Sequence, residues 1–504
     1  MTKKKGTKKP MDPSKITPEY IEKQRRLRNE RKENERKEKE ARGVFDSPGP
    51  IEKFIKRPFL EVEPLDDSKF NIAIMSYNML AQCLIRRDLY PTNGKILKWS
   101  VRSKILHEEI NWYNPTILCL QECDKFQYYH FWQEELKKLG YDSKFYRYNT
   151  KNHGLVIAFK LNYFTCKYQS FIKYDNHINY LPDEVRLPDA RIITKNVGFM
   201  CFLEFKPELL NKYSYLSNKH GIIIGTTHLF WHPFGTYERC LQTYMILHKL
   251  KEFQHTLSIL LKTNNEFYSF FTGDFNSEPF DAPYLSMVNK PVVYEGSVKN
   301  ALGCSLSYTF SKERSLDDED EEEEVEKDED KMQEEDDSDN DDESGQEDES
   351  KVLDQREIER QNNPKNPEPD VFIPTKESEE IMSQLENAHN DLNVIAISLY
   401  SVGYKIVDPK NALNTNNEPS FSNWVDKWNG MLDYIMIIIP WDKNEFNKPL
   451  NSDSPQKLSK YGIKLTKLLK LPTPEEMGAK PNGQPRMNQY PSDHLCIMCQ
   501  VELL

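Results

Sequence analysis

The sequence predicts an α/β fold in which sheet packs on sheet and helices lie outside. Three observations lead there. Apolar runs of strand length recur along the chain, interrupted by segments with helical apolar spacing. The helical segments are fewer than the strands and fall mostly between them. The longest apolar run, over residues 434–440, is itself strand-sized, so no stretch is long and apolar enough to span a membrane.

The elements follow in order. Strands are expected over 71–77 (NIAIMSY), 116–121 (TILCLQ), 155–160, 197–205, 222–228, 267–272, 432–439 and 495–501. Helices are expected over 100–112, where Val101, Ile105 and Ile110 share a face, and over 126–139, 237–261 and about 390–402. Apolar residues make up 38% of the chain, enough for a sizeable core. Charged residues reach 29% and mean hydropathy is −0.76, which places part of the chain outside that core.

The charge is concentrated in two modules. Asp317–Glu349 holds 23 Asp/Glu against two Lys, while the whole chain nets −12. Such a block repels itself and is expected to be disordered. The first 42 residues hold 16 Lys/Arg against 8 Asp/Glu with almost no apolar stripe, so they cannot bury a face. They read as a solvated tail, or as a basic arm for RNA or a nuclear-import signal at residues 3–9. The expected organisation is a basic charged tail and linker over 1–69, a folded domain over 70–311 and 381–504, and an acidic insert over 312–380. The insert is either passive, a docking segment for a protein partner, or a nucleic-acid mimic that competes for a basic groove. The N-terminus has no apolar secretory core, so an intracellular protein of nucleus or cytoplasm, not secreted and not membrane-bound, is expected. Nine scattered cysteines fit reduced core residues. The pairs Cys119/Cys123 and Cys496/Cys499 fall on expected strands without further ligands, which argues against zinc.

The residues capable of chemistry sit where strands end. Asn78 follows the first strand, Glu122 ends the second, and His228 ends IIIGTTH. Asp274 and Asn276 leave one loop two residues apart. Asp433 opens the 432–439 strand, and Asp493-His494 precede the last. Singly, each has an ordinary explanation as a cap, a turn or a surface carboxylate. Together, Asn78, Glu122 and Asp493 offer hard oxygen ligands suited to Mg²⁺, with Mn²⁺ as the alternative. His228 and His494 add proton-transfer or phosphate-binding capacity, and Asp433 can fix a histidine tautomer. No phosphate-binding glycine loop, dinucleotide fingerprint or nucleophile elbow is present. The inventory points to metal-assisted hydrolysis.

The ordered motifs SYNMLA, LCLQE, GTTHLFWHP, TGDFNS, GMLDYI and PSDH resemble the exonuclease–endonuclease–phosphatase superfamily. Within it they resemble the nocturnin/carbon-catabolite-repressor deadenylase branch, and most of all fungal Ngl-type RNA exonucleases. Inositol-phosphate phosphatases of the superfamily carry Pro-Ala-Trp-x-Asp-Arg, from which residues 429–434 depart. The resemblance implies a four-layer α/β/β/α sandwich of the deoxyribonuclease-I type, with the site at one edge. It implies that Glu122 binds the metal with Asn78 beside it, and that Asp493 completes or supports that site. Asp274 would activate or orient water, and Asn276 would hold it or a phosphate oxygen. His494, oriented by Asp433, and His228 would contact the phosphate. Trp428 and Pro233 would flank a base. Relatives often carry Asp where this chain has His153 and His232, which bears on adenine preference more than on hydrolysis.

The expected activity is Mg²⁺-dependent 3′→5′ hydrolysis of single-stranded RNA ends, poly(A) or precursor RNA such as ribosomal RNA, releasing nucleoside 5′-monophosphates. The alternatives are a phosphatase acting on a small nucleotide or lipid headgroup, and a non-catalytic RNA-binding adaptor. Product analysis separates the first pair, and metal-independent binding without turnover would mark the adaptor.

Overall fold

Side chains alternating with a period of two sort each strand into two layers. The computed structural model describes residues 53–310, 375–442, 455–477 and 483–504, apart from 86–89, 91–93, 181–186, 189, 264–266, 413–415 and 426–427. The basic segment over 1–42 and the acidic run Asp317–Glu349 lie outside the described residues.

In strand β2 (Phe70–Asn78), Ile72 and Ile74 join the core shared with the second sheet, while Met75 and Tyr77 turn to an outer layer. Strand β3 (Ile117–Asp124) repeats this, with Ile117 and Cys119 inward and Leu118 and Leu120 outward. The outer layer is closed by helix Trp99–Tyr113 through Ile105, Leu106 and Ile110, and by Trp132 and Leu136. Helix Thr236–Leu260 supplies Tyr244, Met245 and Leu250 to the larger core.

The remaining strands are β1 (Phe59–Glu61), β4 (Tyr141–Tyr146), β5 (His153–Lys160), β6 (Phe164–Lys173), β7 (Val197–Phe205), β8 (Gly221–His228), β9 (Tyr268–Asp274), β10 (Val394–Ser398), β11 (Asn423–Val425), β12 (Trp428–Gly430), β13 (Asp433–Pro440), β14 (Ile463–Leu469) and β15 (Ile497–Leu503). They form a seven-stranded sheet, β1-β14-β15-β2-β3-β5-β4, a six-stranded sheet, β10-β13-β9-β8-β7-β6, and the small hairpin β11-β12. The two large sheets flanked by helices make the expected α/β sandwich. Pairing is antiparallel except for β2-β3 and β8-β9. Those two parallel pairs end at the same edge, and Gln121 of β3 joins the sheets there, donating to Thr226 Oγ1 of β8 at 2.8 Å.

Three expectations need correction. The span 390–402 was expected as one helix. Helix Lys376–Asp391 instead ends there, strand β10 follows, and helix Leu399–Val407 comes next. The β-branched pair Val394 and Ile395 and the register of β10 on β13 override the helical spacing. Helix Lys376–Asp391 also begins ahead of residue 381, with Thr375 as its N-cap accepting from Ser378 N at 3.1 Å. Finally, part of the expected linker over 1–69 is folded. Strand β1 pairs with β14, and Phe54 and Arg57 are buried. Among the described residues no helix is long and apolar enough to cross a membrane.

Candidate active site

Strand register assembles the site before any side chain is considered. In the second sheet His228 of β8, Asp274 of β9 and Asp433 of β13 stand side by side, paired His228–Asp274 and Asp274–Asp433. Gly273 makes this approach possible. Its φ is 141°, and a Cβ there would lie 2.2 Å from the Thr227 carbonyl oxygen. In the first sheet Asn78 ends β2. Glu122 sits on a bulge of β3 between Leu120 and Cys123, with φ of 53°. Leu80 and Asn276 also hold positive φ, 59° and 45°. Non-glycine residues in this region concentrate where the surroundings over-determine an unfavourable backbone, as at functional sites.

The side chains converge. Asn78 Nδ2 donates to Asp274 Oδ2 at 2.9 Å and to Glu122 Oε1 at 3.1 Å. His228 lies between the same carboxylates, Nδ1 3.8 Å from Glu122 Oε1 and Nε2 3.6 Å from Asp274 Oδ2. His494 Nε2 approaches Asp274 Oδ2 at 3.5 Å, and its Nδ1 binds Asp433 Oδ2 at 2.8 Å. Asp433 Oδ2 also accepts from Ser422 Oγ at 2.7 Å. Asn276 donates from Nδ2 to the Leu229 carbonyl and from its backbone to Asp274 Oδ1, both at 2.9 Å. Asp493 is buried and its Oδ2 accepts from Tyr90 OH at 2.9 Å.

The electrostatics follow from burial and proximity. Burial opposes charge on His494, but Asp433 and Asp274 outweigh it and hold the imidazole well above its ordinary range. Burial raises Asp433, with His494 acting in the opposite direction. Burial likewise raises Asp493, helped by the nearby negative charge of Glu122 and opposed by His494.

Four carboxylates thus share one pocket with two imidazoles. Such an excess of hard oxygen donors fits a divalent cation of the magnesium class. Among the described residues Asp433 Oδ1 is buried without a hydrogen-bond partner, which underlines the shortage of positive charge. Asp274, Asp433 and His494 bring donor atoms within 4.8 Å of one another. His494 Nδ1 and Asp433 Oδ2 are engaged with each other, and both oxygens of Glu122 and of Asp274 accept hydrogen bonds from Asn78, Ala81 N and Asn276 N. Asn78 is fixed by its own loop. Its Oδ1 accepts from Leu80 N at 3.0 Å, which turns the amide nitrogen toward the carboxylates. In this orientation Asn78 donates to both acids and holds Glu122 and Asp274 together.

The two expected base-binding residues are exposed. Trp428 is 49% exposed, on a hairpin stitched to the site by Trp424 N donating to the Asp493 carbonyl at 2.9 Å and by a bridge between Asn423 and His494. Pro233 is exposed in the loop after His228. His232 does not face the chemistry. It is buried, stacked at 14° on Phe230 and near Tyr308 and Phe310. His153 lines a shallow basic notch with Lys151 and Lys195 beside Glu122 and His228.

Several supporting residues escaped the sequence reading. Buried Arg102 binds the carbonyls of Met79, Leu80 and Pro491, tying the Asn78 loop to the Asp493-His494 segment. Buried Arg239 binds the Phe230 and His232 carbonyls and Ser277 Oγ, fixing the Pro233 loop to the Asp274 loop. Tyr90, Ser422 and Asn196, which donates to the His228 carbonyl at 2.8 Å, complete the set. A charged residue inside an apolar helical stripe, as Arg102 and Arg239 are, was the available signal.

Comparison with known proteins gives a consistent result. Residues 75–494 match the Endonuclease/Exonuclease/phosphatase family. The RNA exonuclease NGL2 of Saccharomyces cerevisiae is 40% identical over 99% of this chain and 92% of its own length. The Probable RNA exonuclease NGL3 of the same yeast is 35% identical over 91% and 84%. Among solved structures, ANGEL2, described as a 2′,3′-cyclic phosphatase and bound to adenosine-2′,3′-vanadate, superposes with a TM-score of 0.52 at 18% identity, covering 89% of this chain and 99% of its own. That likeness concerns the fold.

Proposed function

The chain belongs to the Endonuclease/Exonuclease/phosphatase family, and from that premise we propose that it is a divalent-metal-dependent 3′→5′ exoribonuclease acting on single-stranded RNA. One observation carries the reading. Asp274 Oδ2 lies within 3.6 Å of both His228 and His494, and Asn78 bonds it to Glu122 across the seam of the sheets. The RNA exonuclease names of the two yeast relatives support the substrate class.

Glu122, with Asn78 beside it and Asp493 near it, would hold Mg²⁺. A bound cation of this kind polarises a phosphoryl oxygen and offsets the charge of the phosphodiester. Asp274 is placed to orient water and accept its proton. Asn276, locked by the Leu229 carbonyl, keeps that carboxylate in position through its backbone N–H. His494, kept cationic by Asp433, donates to a non-bridging phosphate oxygen as charge builds in the transition state. His228 does the same from the other flank. Trp428 offers a face to a base, an interaction worth about 1–3 kcal/mol and tolerant of sequence. The products are nucleoside 5′-monophosphates, and poly(A) and ribosomal precursor ends are candidate substrates.

The test digests 5′-labelled poly(A), mixed-sequence RNA and DNA oligomers in parallel with Mg²⁺, Mn²⁺ or EDTA. Stepwise shortening with release of 5′-monophosphates, lost in EDTA and in Asp274→Asn, is the expected result. Release of inorganic phosphate with no shortening, or full activity in Glu122→Ala, would refute it.

A further inference from the structure

The loop that delivers Asp274 and Asn276 continues to Glu278, and this carboxylate has no role in the chemistry above. Glu278 is half-buried, and among the described residues none donates to its carboxylate. Its backbone N–H donates to Asp281 Oδ2 at 2.9 Å, so the turn itself does not need the side chain.

Its position is informative. A Cβ on Gly430 would stand 2.8 Å from Cη2 of Trp428 and 3.0 Å from Glu278 Oε1. The tryptophan ring edge and the carboxylate therefore both pack against the bare Cα of the buried Gly430 and stand close to each other, an approach that a side chain at residue 430 would prevent. Gly430 lies in β12 with Trp428, on the hairpin stitched to Asp493 and His494. Trp428 is 49% exposed, and the Glu278 carboxylate lies near the Cη2 edge of its ring, within reach of a flat base stacked on the indole.

A carboxylate without a hydrogen-bond donor of its own is unexpected on a surface that receives a polyanion. Burial, with Asp281 nearby, pushes Glu278 up to about 6, so it still carries charge at neutral pH. An ionised carboxylate only accepts hydrogen bonds. Base edges differ in what they offer such a group. Adenine and cytosine present an exocyclic amino group, and guanine an amino group beside a ring N–H. Uracil presents two carbonyl oxygens flanking one N–H. Carboxylates accordingly read amino-bearing edges in nucleic-acid recognition.

We propose that Glu278 is a specificity-determining residue that accepts a hydrogen bond from the amino group of a base stacked on Trp428, so that 3′-terminal adenine, cytosine or guanine is processed ahead of uracil. The inference rests on the exonuclease reading and on Trp428 as its base platform, and it adds the group that selects the base. A terminal uracil offers only a single ring N–H, flanked on both sides by carbonyl oxygens that repel the carboxylate, and sites built to satisfy a polar group discriminate against partners that satisfy it poorly.

The experiment uses the full chain with Mg²⁺ and four RNA oligomers identical except for the last four nucleotides, all A, C, G or U. It measures kcat/KM for the wild type, Glu278→Ala, Glu278→Gln and Trp428→Ala, with circular dichroism on each variant. The wild type is expected to prefer A, C and G over U by roughly 10-fold. In Glu278→Ala the A:U ratio should fall to within about 2-fold, and Glu278→Gln, whose amide can donate to a uracil carbonyl, should favour U further. Trp428→Ala should slow all four substrates by roughly 5- to 100-fold, the range of a lost stacking contact. An unchanged A:U ratio in Glu278→Ala, with Trp428→Ala slowed, overturns the role of Glu278 and leaves the platform standing. No effect of Trp428→Ala overturns both, and absence of RNA shortening by the wild type overturns the exonuclease reading itself.

Discussion

Replacing Arg102 by Met should loosen the site without touching a reacting group. The guanidinium is fully buried and donates to the Pro491 carbonyl at 2.8 Å, Gln82 Oε1 at 3.0 Å, the Leu80 carbonyl at 2.5 Å and the Met79 carbonyl. Methionine fills much of the volume but leaves three buried carbonyls unpaired, each costing about 1–3 kcal/mol. Removing the buried cation returns its desolvation penalty, so the net loss should be about 3–5 kcal/mol. That is a large share of a typical domain's ~5–15 kcal/mol. The functional consequence is more specific. Leu80 N holds Asn78 Oδ1 at 3.0 Å and Ala81 N holds Glu122 Oε2 at 2.9 Å. Arg102 fixes the peptide groups from which those N–H donors project. Its loss should raise the Mg²⁺ concentration for half-maximal activity by about 10- to 100-fold, the range for residues supporting metal ligands. Urea denaturation gives the first quantity. A Mg²⁺ titration of RNA hydrolysis, paired with Mn²⁺ binding followed by electron paramagnetic resonance, gives the second. A stability change under about 1 kcal/mol with unchanged metal dependence would show that the loop is held by other means.

Other outcomes can be read in parallel. Asp433→Asn should lower kcat by roughly 10²–10³-fold. His494 acts as a cation below its raised pKa and loses that role as pH rises through it, so removing Asp433 should move the descending limb of the pH–rate profile to lower pH. A profile that keeps its position would assign the limb to another group. Gly273→Ala should cost on the order of 3 kcal/mol, because φ of 141° and the 2.2 Å approach to the Thr227 carbonyl combine strain with overlap. Differential scanning fluorimetry would detect it, and an unshifted melting temperature contradicts the register described for His228 and Asp274. Deleting residues 1–42 should reduce the slope of log affinity against log salt on long RNA, since 16 basic residues leave with them. An equal slope would mean that the tail makes no phosphate contacts.

What the sequence made legible, and what it did not, divides along a physical line. Strands such as β3, β8 and β9 were readable because burial on both faces enforces continuous apolar runs ending abruptly in polar residues. The reacting side chains were readable for the same reason, since Glu122, His228 and Asp274 interrupt those runs at their ends. Strand β6 alternates buried and exposed positions with lysines and threonine among them, and so left only a weak pattern. The helix expected over 390–402 failed because local spacing competed with a pairing partner more than forty residues away, Ile439 opposite Ile395. Arg102 and Arg239 were missed because their partners are carbonyl groups, which carry no residue identity.

That division explains why the site lies at a seam. Neither sheet alone holds a competent set. The first brings Asn78, Glu122 and the Asp493-His494 segment, and the second brings His228, Asp274 and Asp433. Asn78, Glu122, His228, Asp274 and Asp433 are placed by the ends of their own strands, while the Asp493-His494 segment is held by Arg102 and by its bridge to Asn423. The price is that the geometry depends on how the sheets pack, and the polar links across the seam are few and buried. Gln121 to Thr226 at 2.8 Å and Asn78 to Asp274 at 2.9 Å are two of them. A buried amide between two sheets is costly unless every bond is made. Among the described residues Gln121 Oε1 has no partner, so this link holds position at some expense of stability. Gln121→Leu should therefore be tolerated by the fold and resented by the site, lowering kcat while the unfolding midpoint stays within about 1 kcal/mol or rises. A variant that lost stability and kept full activity would show instead that the sandwich, and not this polar contact, sets the distance between Glu122 and Asp274.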